Sequence, residues 1–253
     1  MGKMIFNRMN TLSGFALALL AGTASCASPA TPSPAPQPSP VASDSLPNDV
    51  KWVRNSAEYR ALTREVYAMA GERLPELVRG LPAQSWAVIL DADETVLDNS
   101  EYQRRLAVAH APFDAKSWTA WVNERAALAV PGALGFTKLV HSLGGRVAIV
   151  TNRSLAECDA TRENLRALGI ETDVVLCQPP GEGNKNPRFQ RVQSGTAAPG
   201  VPVLTVVEWL GDNIQDFPSL TQAARTDSAA LAQFGKRYFV LPNPMYGSWE
   251  HVP

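Results

Sequence analysis

Residues 86–95 read Trp-Ala-Val-Ile-Leu-Asp-Ala-Asp-Glu-Thr, a short apolar run that ends abruptly in acidic residues. Five consecutive apolar residues predict a strand that is buried on both faces, since a strand with one solvated face would alternate apolar and polar residues. Two carboxylates two residues apart, just beyond such a strand, can converge on one metal ion and one substrate. A solvated acidic turn is the plainer alternative. A calcium loop is the third reading, although Val96 stands where an EF-hand loop needs Gly.

Outward from this strand, apolar runs alternate with amphipathic stretches. Ser56 can cap a helix whose apolar residues recur at helical spacing until Pro75 interrupts or restarts it, and a second helix over 155–168 ends at Gly169. Continuous apolar strands separated by helices predict an α/β fold with a doubly wound parallel sheet that is covered on both faces. The further strands are predicted at 146–150, 172–176, 203–210 and 237–241.

Polar residues follow these strands at the edge where an open parallel sheet binds its ligands. Singly, each group has an ordinary explanation as a helix cap, a solvated lysine or a turn. Their joint occurrence, in this order and together with the acidic residues at 91–95, favours one functional site. The segments are Thr151-Asn152-Arg153, Lys185-Asn186-Pro187-Arg188-Phe189 and Gly211-Asp212-Asn213-Ile214-Gln215-Asp216-Phe217.

This series of motifs resembles that of the haloacid dehalogenase (HAD) superfamily of phosphoryl-transfer enzymes, and Asp93 points to a phosphatase within it. Longer segments are similar to the class C bacterial lipoprotein acid phosphatases and 5′-nucleotidases, and they span about 52–250. Ala92 departs from the family, which commonly has Leu at a position expected to contribute only main chain and packing. The resemblance implies a HAD-like Rossmannoid sheet with a small helical cap. The similar segments are 56–59, 91–100, 131–136, 185–189 and 241–250.

The resemblance also implies a set of catalytic and metal-binding residues. Asp91 would be the nucleophile that forms an aspartyl-phosphate, and Asp93 would be the general acid and then the base that activates water. Mg²⁺ would be held by the Asp91 carboxylate, the Asp93 main-chain carbonyl and Asp212, with Asp216 supporting from the same loop. An oxygen-only ligand set suits Mg²⁺ rather than Zn²⁺.

The substrate-binding residues follow from the same resemblance. Thr151 and the Asn152 N–H would hold phosphate oxygens, and Lys185 would balance charge between the phosphate and the nucleophile. Trp118, in a cap insertion at about 98–135, would flank a stacked base together with Tyr246. This predicts small phosphomonoester substrates such as nucleoside 5′-monophosphates, and the family implies a homodimer.

Three alternatives to these assignments remain open at this point. Core packing is the plain explanation for at least one of Trp118 and Trp121. The same aromatic slot would accept aryl phosphates, as in a nonspecific acid phosphatase or phosphotransferase. A non-catalytic envelope lipoprotein that kept the fold is the rival from another class, although the acids and the lysine of the site are all present.

Residues 1–27 resemble an export signal. Lys3 and Arg8 precede an apolar run over 11–22 that is too short to span a bilayer, although a buried N-terminal helix is the alternative. Cys26 follows Ser25 as in a bacterial lipoprotein signal, where it would become the lipidated first residue. An ordinary cleavage site after a small residue is the other reading.

Residues 28–48 are predicted to be a tether, and the domain is predicted over 49–253. Seven of the chain's 20 prolines lie between Ser28 and Pro47, and such a segment favours an extended spacer. A lipid at Cys26 would place the domain in the bacterial cell envelope, on the outer-membrane or periplasmic side.

Composition limits the remaining possibilities. Apolar residues make up 45% of the chain and charged residues 19%, as in ordinary folded proteins. The net charge of −1 argues against a broadly basic protein, so no nucleic-acid partner is expected. Cys158 and Cys177 could pair in an oxidising envelope or remain free thiols, because sequence does not give the distance between them.

Overall fold

The computed structural model of the 253-residue chain describes residues 46–252. The predicted export signal, Cys26 and nearly all of the predicted tether lie outside the described residues. Among residues 46–252, no helix combines the length and the apolar character needed to cross a membrane.

A five-stranded parallel sheet forms the centre of the domain, in the order β5-β4-β1-β6-β7. A separate antiparallel pair, β2 with β3, lies after the first strand. The strands are β1 (Trp86–Leu90), β2 (Leu97–Asp98), β3 (Leu128–Ala129), β4 (Arg146–Ser154), β5 (Val174–Gln178), β6 (Thr205–Gly211) and β7 (Tyr238–Val240).

Seven α-helices are found within the described residues, and they cover the sheet and form the insertion. They are α1 (Asn48–Asn55), α2 (Ala57–Leu77), α3 (Ser100–Ala109), α4 (Ala115–Glu124), α5 (Ala133–Ser142), α6 (Cys158–Ala167) and α7 (Asn186–Gln193). The prediction of an α/β fold with a doubly wound parallel sheet is therefore confirmed.

β1 has the predicted bounds and is buried on both faces, as its unbroken apolar sequence requires. Val88 and Leu90 belong to the core formed with α2, α5 and α6, whereas Ala87 and Ile89 belong to the core formed with α7. Full burial of a valine, leucine or isoleucine side chain stabilises a fold by about 1.5–3 kcal/mol. This central strand therefore fixes Asp91 and the residues after it on a rigid base.

β4 is longer than predicted. The predicted strand over 146–150 continues to Ser154, after an irregularity in its pairing with β5. Thr151, Asn152 and Arg153 therefore lie on the strand itself. The sequence had suggested instead that they follow the strand and cap the next helix. The helical segment begins only at Leu155, where Ser154 and Glu157 form a reciprocal cap.

The ends of the three remaining strands differ from the predicted bounds by one or two residues. β5 begins at Val174 because Asp173 engages β4 partly through its side chain: its carboxylate accepts the N–H of Val147 at 2.8 Å. β6 begins two residues after the predicted 203, and β7 is shorter than the predicted 237–241.

The predicted helix after Ser56 is confirmed as α2, and the Ser56 hydroxyl accepts the N–H of Tyr59 at 3.0 Å. Pro75 does not interrupt it. The helix continues to Leu77, and its ladder resumes where the N–H of Val78 donates to the carbonyl of Leu74. Pro75 has no N–H to donate, so the helix lacks one main-chain hydrogen bond at this position.

The residues between the paired strands β2 and β3 form α3 and α4, which are joined by a short loop. These two helices and their loop are called the cap here. α5 begins at Ala133, so the last residues of the predicted insertion at 98–135 belong instead to a helix that packs against α2.

Candidate active site

The carboxyl ends of the parallel strands border a cavity of about 710 Å³. Asp91 and Asp93 follow β1, Arg153 lies near the end of β4, and Asp212 follows β6. Lys185 immediately precedes α7. All five residues border the cavity. The strand ends that were expected to share one site therefore do meet.

Lys185 joins two buried carboxylates. Its Nζ donates to Asp91 Oδ1 at 2.5 Å and to Asp216 Oδ1 at 2.6 Å, and all three side chains are more than nine-tenths buried. Burial opposes the charge of Lys185, but the two carboxylates prevail and raise its pKa above the ordinary value. Asp91 Oδ2 accepts no hydrogen bond from any described residue. One oxygen of Asp91 is therefore fixed and the other is free.

Three carboxylates lie close enough to hold one cation. Asp91, Asp212 and Asp216 each bring an oxygen to within 4.8 Å of the others. Asp212 is oriented by Asn243, whose Nδ2 donates to its Oδ2 at 2.8 Å. Asp93 was predicted to contribute its main-chain carbonyl, and its side chain is not part of this group. A donor set of carboxylate oxygens fits a hard divalent cation such as Mg²⁺.

The electrostatics of the same group favour a cation. Burial raises the pKa of Asp91 to about 7; Lys185 opposes this rise, and Asp216 and Asp93 add to it. Burial, Asp216 and Asp91 raise the pKa of Asp212 well above its usual range. Several carboxylates in one buried space thus disfavour each other's charge, and a bound cation would relieve this repulsion.

Asp93 lies beside this group in a different environment. Its Oδ1 accepts hydrogen bonds from Nε and Nη2 of Arg153 at 2.9 and 2.8 Å, and from Nδ2 of Asn99 at 2.8 Å. Its side chain is 18% exposed and borders the cavity. The two acids of the first motif are therefore held by different partners, which fits different chemical roles.

The two predicted phosphate-binding residues of β4 are placed differently. Asn152 is exposed and borders the cavity, and its Oδ1 accepts from Nη2 of Arg188 at 2.7 Å. Thr151 is fully buried and is not among the residues that border the cavity. Its hydroxyl accepts the N–H of Arg153 at 3.2 Å, and its carbonyl accepts from the buried Arg188 guanidinium.

Both predicted aromatic substrate residues border the cavity, on separate parts of the chain. Trp118 lies on α4 of the cap, and Tyr246 lies in the C-terminal segment against a small cluster that includes Tyr59. Trp121, in contrast, is buried, and its Nε1 donates to Asn99 Oδ1 at 2.9 Å. The plain explanation of core packing therefore applies to Trp121.

Two residues that border the cavity, Arg153 and Phe113, were not predicted from the sequence to belong to the site. Arg153 was noted in its motif without a role, although a charged residue just after a buried strand was the available signal. Phe113 lies in the loop between α3 and α4, 63% exposed, with its ring 6.4 Å from that of Trp118. Only its closeness in sequence to Trp118 could have indicated it.

Cys158 and Cys177 form a disulfide with their Cα atoms 5.8 Å apart. The bridge joins the first residue of α6 to β5, and thus fastens the helix that follows the Thr151-Asn152-Arg153 segment to the neighbouring strand. The alternative of two free thiols is therefore wrong in this structure.

Comparison with known proteins agrees with this geometry. Among solved structures, the class C acid phosphatase from Bacillus anthracis matches with a TM-score of 0.71 and 30% identity, over 80% of this chain and 85% of that one. The structure of the same enzyme with tungstate bound matches equally well. The Stem 28 kDa glycoprotein of Glycine max is 29% identical over 164 residues, which are 62% of this chain and only 58% of that protein.

A family of sequences also matches over most of the chain. The model of HAD superfamily subfamily IIIB, the acid phosphatases, matches residues 18–249 and therefore includes every strand and helix described above. Fold, strand-end motifs and sequence thus agree, and the chain belongs to subfamily IIIB of the HAD superfamily.

Proposed function

We propose that this protein is a phosphomonoesterase that depends on a divalent cation, Mg²⁺ by preference, and works through an aspartyl-phosphate on Asp91. The observation that carries the proposal is the pairing of two unlike aspartates at one cavity. Asp91 is buried against Lys185, and Asp93 is held by Arg153 at the cavity edge. A phosphate monoester needs both a nucleophile and an acid for its leaving oxygen.

Asp91 has the geometry of a nucleophile. Lys185 holds its Oδ1, and its Oδ2 remains available to attack phosphorus. Attack would form a covalent phosphoryl-enzyme and split the displacement into two steps. Lys185 would also offset charge between this carboxylate and the incoming phosphate dianion, which is the electrostatic contribution that phosphoryl transfer requires.

The residues present fit a hard divalent cation, which Asp91, Asp212 and Asp216 would hold with the Asp93 carbonyl. Such a cation supplies positive charge to a site in which acids outnumber bases, and so keeps Asp91 ionised when an anion approaches. Asn152, at the edge of the cavity, would bind a phosphate oxygen. Tungstate, bound in the structure of the related Bacillus anthracis enzyme, is a tetrahedral oxyanion like phosphate, which supports an anion site in this family.

For the substrate we propose nucleoside 5′-monophosphates. Trp118 and Tyr246 border the same cavity as the two aspartates, so a base between them would leave the phosphate at the strand ends. Stacking tolerates any base because every base has a π-face. The exposed ring of Phe113 beside Trp118 favours a second candidate, a broad phosphatase that also accepts aryl phosphates.

Phosphate release by the full chain tests this proposal. The panel would contain a 5′-nucleotide, a 3′-nucleotide, an aryl phosphate and an alkyl phosphate, each with Mg²⁺ and with a chelator. Metal-dependent release that favours the 5′-nucleotide is expected. Metal-dependent release without preference would support the broad phosphatase, and no release from folded, metal-loaded protein would overturn the catalytic proposal.

We also propose export to the bacterial cell envelope, a lipid anchor at Cys26 and a homodimer. The disulfide between Cys158 and Cys177 supports the first of these, because such bridges persist in oxidising compartments. Labelled fatty acid should be incorporated into the wild-type protein but not into the Cys26→Ser variant. This variant should also no longer associate with the membrane.

The homodimer is tested by sedimentation of the domain. Sedimentation at the mass of a monomer would contradict the dimer.

A further inference from the structure

Arg153 is the most completely fixed cation at the cavity. It is 2% exposed, although it lies on the edge of an open site. Its Nη1 donates to Thr161 Oγ1 at 3.1 Å and its Nη2 to Asn99 Oδ1 at 3.2 Å, in addition to the two bonds to Asp93. Its guanidinium carbon lies 5.4 Å from the centre of the Trp118 ring. A planar group held at its edges and on one face has a fixed orientation.

This arrangement makes the two oxygens of Asp93 unequal. Oδ1 accepts three hydrogen bonds, two from Arg153 and one from Asn99. Oδ2 accepts none from any described residue, although the side chain is partly exposed to the cavity. Asn99 cannot turn freely, since its Oδ1 accepts from Trp121 Nε1. Only one oxygen of Asp93 is thus available to a bound molecule.

We propose that Arg153 is a positioning residue for Asp93: it fixes Oδ1 so that Oδ2 delivers the proton to the leaving oxygen. This inference rests on the phosphomonoesterase function proposed above. In that step the bond between phosphorus and the leaving oxygen breaks, and its electron pair stays on that oxygen. The oxygen takes the proton from Oδ2, while an oxygen of Asp91 forms the new bond to phosphorus.

The dependence of the rate on the leaving group separates this role from a merely structural one. A 4-nitrophenolate leaves readily without a proton, whereas an alkoxide needs the proton as it leaves. Loss of positioning should therefore slow an alkyl phosphate far more than an aryl phosphate. A general loss of folded protein would slow both substrates by the same factor.

The experiment compares Arg153→Lys and Arg153→Gln with the wild type, at saturating Mg²⁺, on 4-nitrophenyl phosphate and on ethyl phosphate. The quantity measured is the ratio of the two kcat/KM values in one sample, which does not depend on the fraction of folded protein. We expect kcat/KM for ethyl phosphate to fall about 10- to 100-fold more than kcat/KM for the aryl phosphate. This expected loss is smaller than the full contribution of an acid catalyst, because the variants misplace the acid without removing it.

Arg237→Lys is the matched control. Its guanidinium also lies 5.4 Å from a tryptophan ring, that of Trp209, but it donates to main-chain carbonyls of β6, distant in sequence from Asp93. Its substrate ratio should equal that of the wild type. In an Asp93→Asn background, Arg153→Lys should change the ratio no further, because the acid it positions is already gone.

Two outcomes would overturn the inference, and they are distinguishable. If the wild type is active and the Arg153 variants lose kcat/KM by the same factor on both substrates, the positioning role alone is contradicted. A folded, metal-loaded wild type that releases phosphate from neither substrate would contradict the proposed function, and the inference with it.

Discussion

At the scale of single residues, Lys185 is a buried cation held by two carboxylates, and its removal should lower the catalytic rate strongly. Lys185→Ala would leave Asp91 and Asp216 facing each other without the cation between them. We expect a loss of about 2–4 kcal/mol of transition-state stabilisation, by analogy with the loss of one preorganised charge-stabilising contact. The measurement is kcat/KM at saturating Mg²⁺.

Lys138→Ala serves as the control, because Lys138 is exposed on α5. Its kinetics should match those of the wild type. If Lys185→Ala behaved like Lys138→Ala, the contact between Lys185 and Asp91 would have no catalytic meaning.

Glu208 is a buried acid that the proposed chemistry does not use. Neither of its oxygens has a hydrogen-bond partner among the described residues. Burial raises its pKa from 4.5 to about 9, in spite of the charges of Arg73 and Arg237. The folded chain therefore keeps a proton that the unfolded chain releases, so the free energy of unfolding falls as the pH rises between these two values.

Glu208→Gln removes this proton equilibrium with little change of shape. Urea unfolding across this pH range should show a flatter pH dependence for the variant, which should exceed the wild type in stability at the alkaline end. The exposed Glu171→Gln is the control. Parallel pH profiles for Glu208→Gln and the wild type would show that Glu208 does not hold its proton.

Individual site residues could be predicted from the sequence where they belong to a recognisable motif. The two aspartates after β1, Lys185, and Asp212 with Asp216 were all expected to share one site, and the structure brings them together. Arg153 could not be assigned in the same way. Its role depends on Asp93, Asn99 and Thr161, which reach it from other segments, and no local pattern encodes such a contact.

At the scale of elements, the disulfide between α6 and β5 closes a loop with a sequence separation of 19 residues. Cross-linking a loop of this size stabilises a protein by about 3 kcal/mol in the chain-entropy model. We therefore expect the free energy of unfolding to fall by a similar amount in Cys158→Ser, in Cys177→Ser and in the double variant. The measurement is the urea midpoint and slope.

A matched comparison uses the wild type under reducing conditions, which should lose the same stability as the double variant. The double variant itself should be insensitive to the reductant. An unchanged midpoint in the double variant would show that the bridge contributes nothing to the folded state.

Strand positions were predictable because burial on two faces leaves a plain apolar signature. β1 has the predicted bounds for this reason. The end of β4 was not predictable, since Thr151, Asn152 and Arg153 are polar residues that nevertheless continue a strand. Their side chains satisfy partners such as Arg188 and Asp93, so tertiary contacts outweighed the local signal.

At the scale of the whole molecule, two parts of the chain bring aromatic rings to the cavity: the cap contributes Phe113 and Trp118, and the C-terminal segment contributes Tyr246. Trp118→Ala removes one ring of the cap and should weaken the binding of 5′-nucleotides in the transition state by about 1–3 kcal/mol, the contribution of one stacked base. A small aliphatic phosphate should be affected much less, and it serves as the internal control. The measurement is kcat/KM for both substrates. An equal loss on both would contradict the stacking role of Trp118.

The overall architecture could be predicted from the order of motifs, because each motif marks the end of a strand and parallel strands end at one edge. The shape of the substrate region could not. Phe113, Trp118 and Tyr246 reach the cavity from the cap and from the far end of the chain, so their relation depends on the folded arrangement of both.

The central claim is that Asp91 accepts the phosphoryl group, and trapping the intermediate tests it most directly. The full chain with Mg²⁺ and a 5′-nucleotide would be quenched in acid during turnover, digested and examined by mass spectrometry. We predict one added phosphoryl group on the peptide that contains Asp91. Asp91→Asn should show none and should lose nearly all turnover while keeping its fold. Turnover that persists at a substantial level in Asp91→Asn would contradict the account.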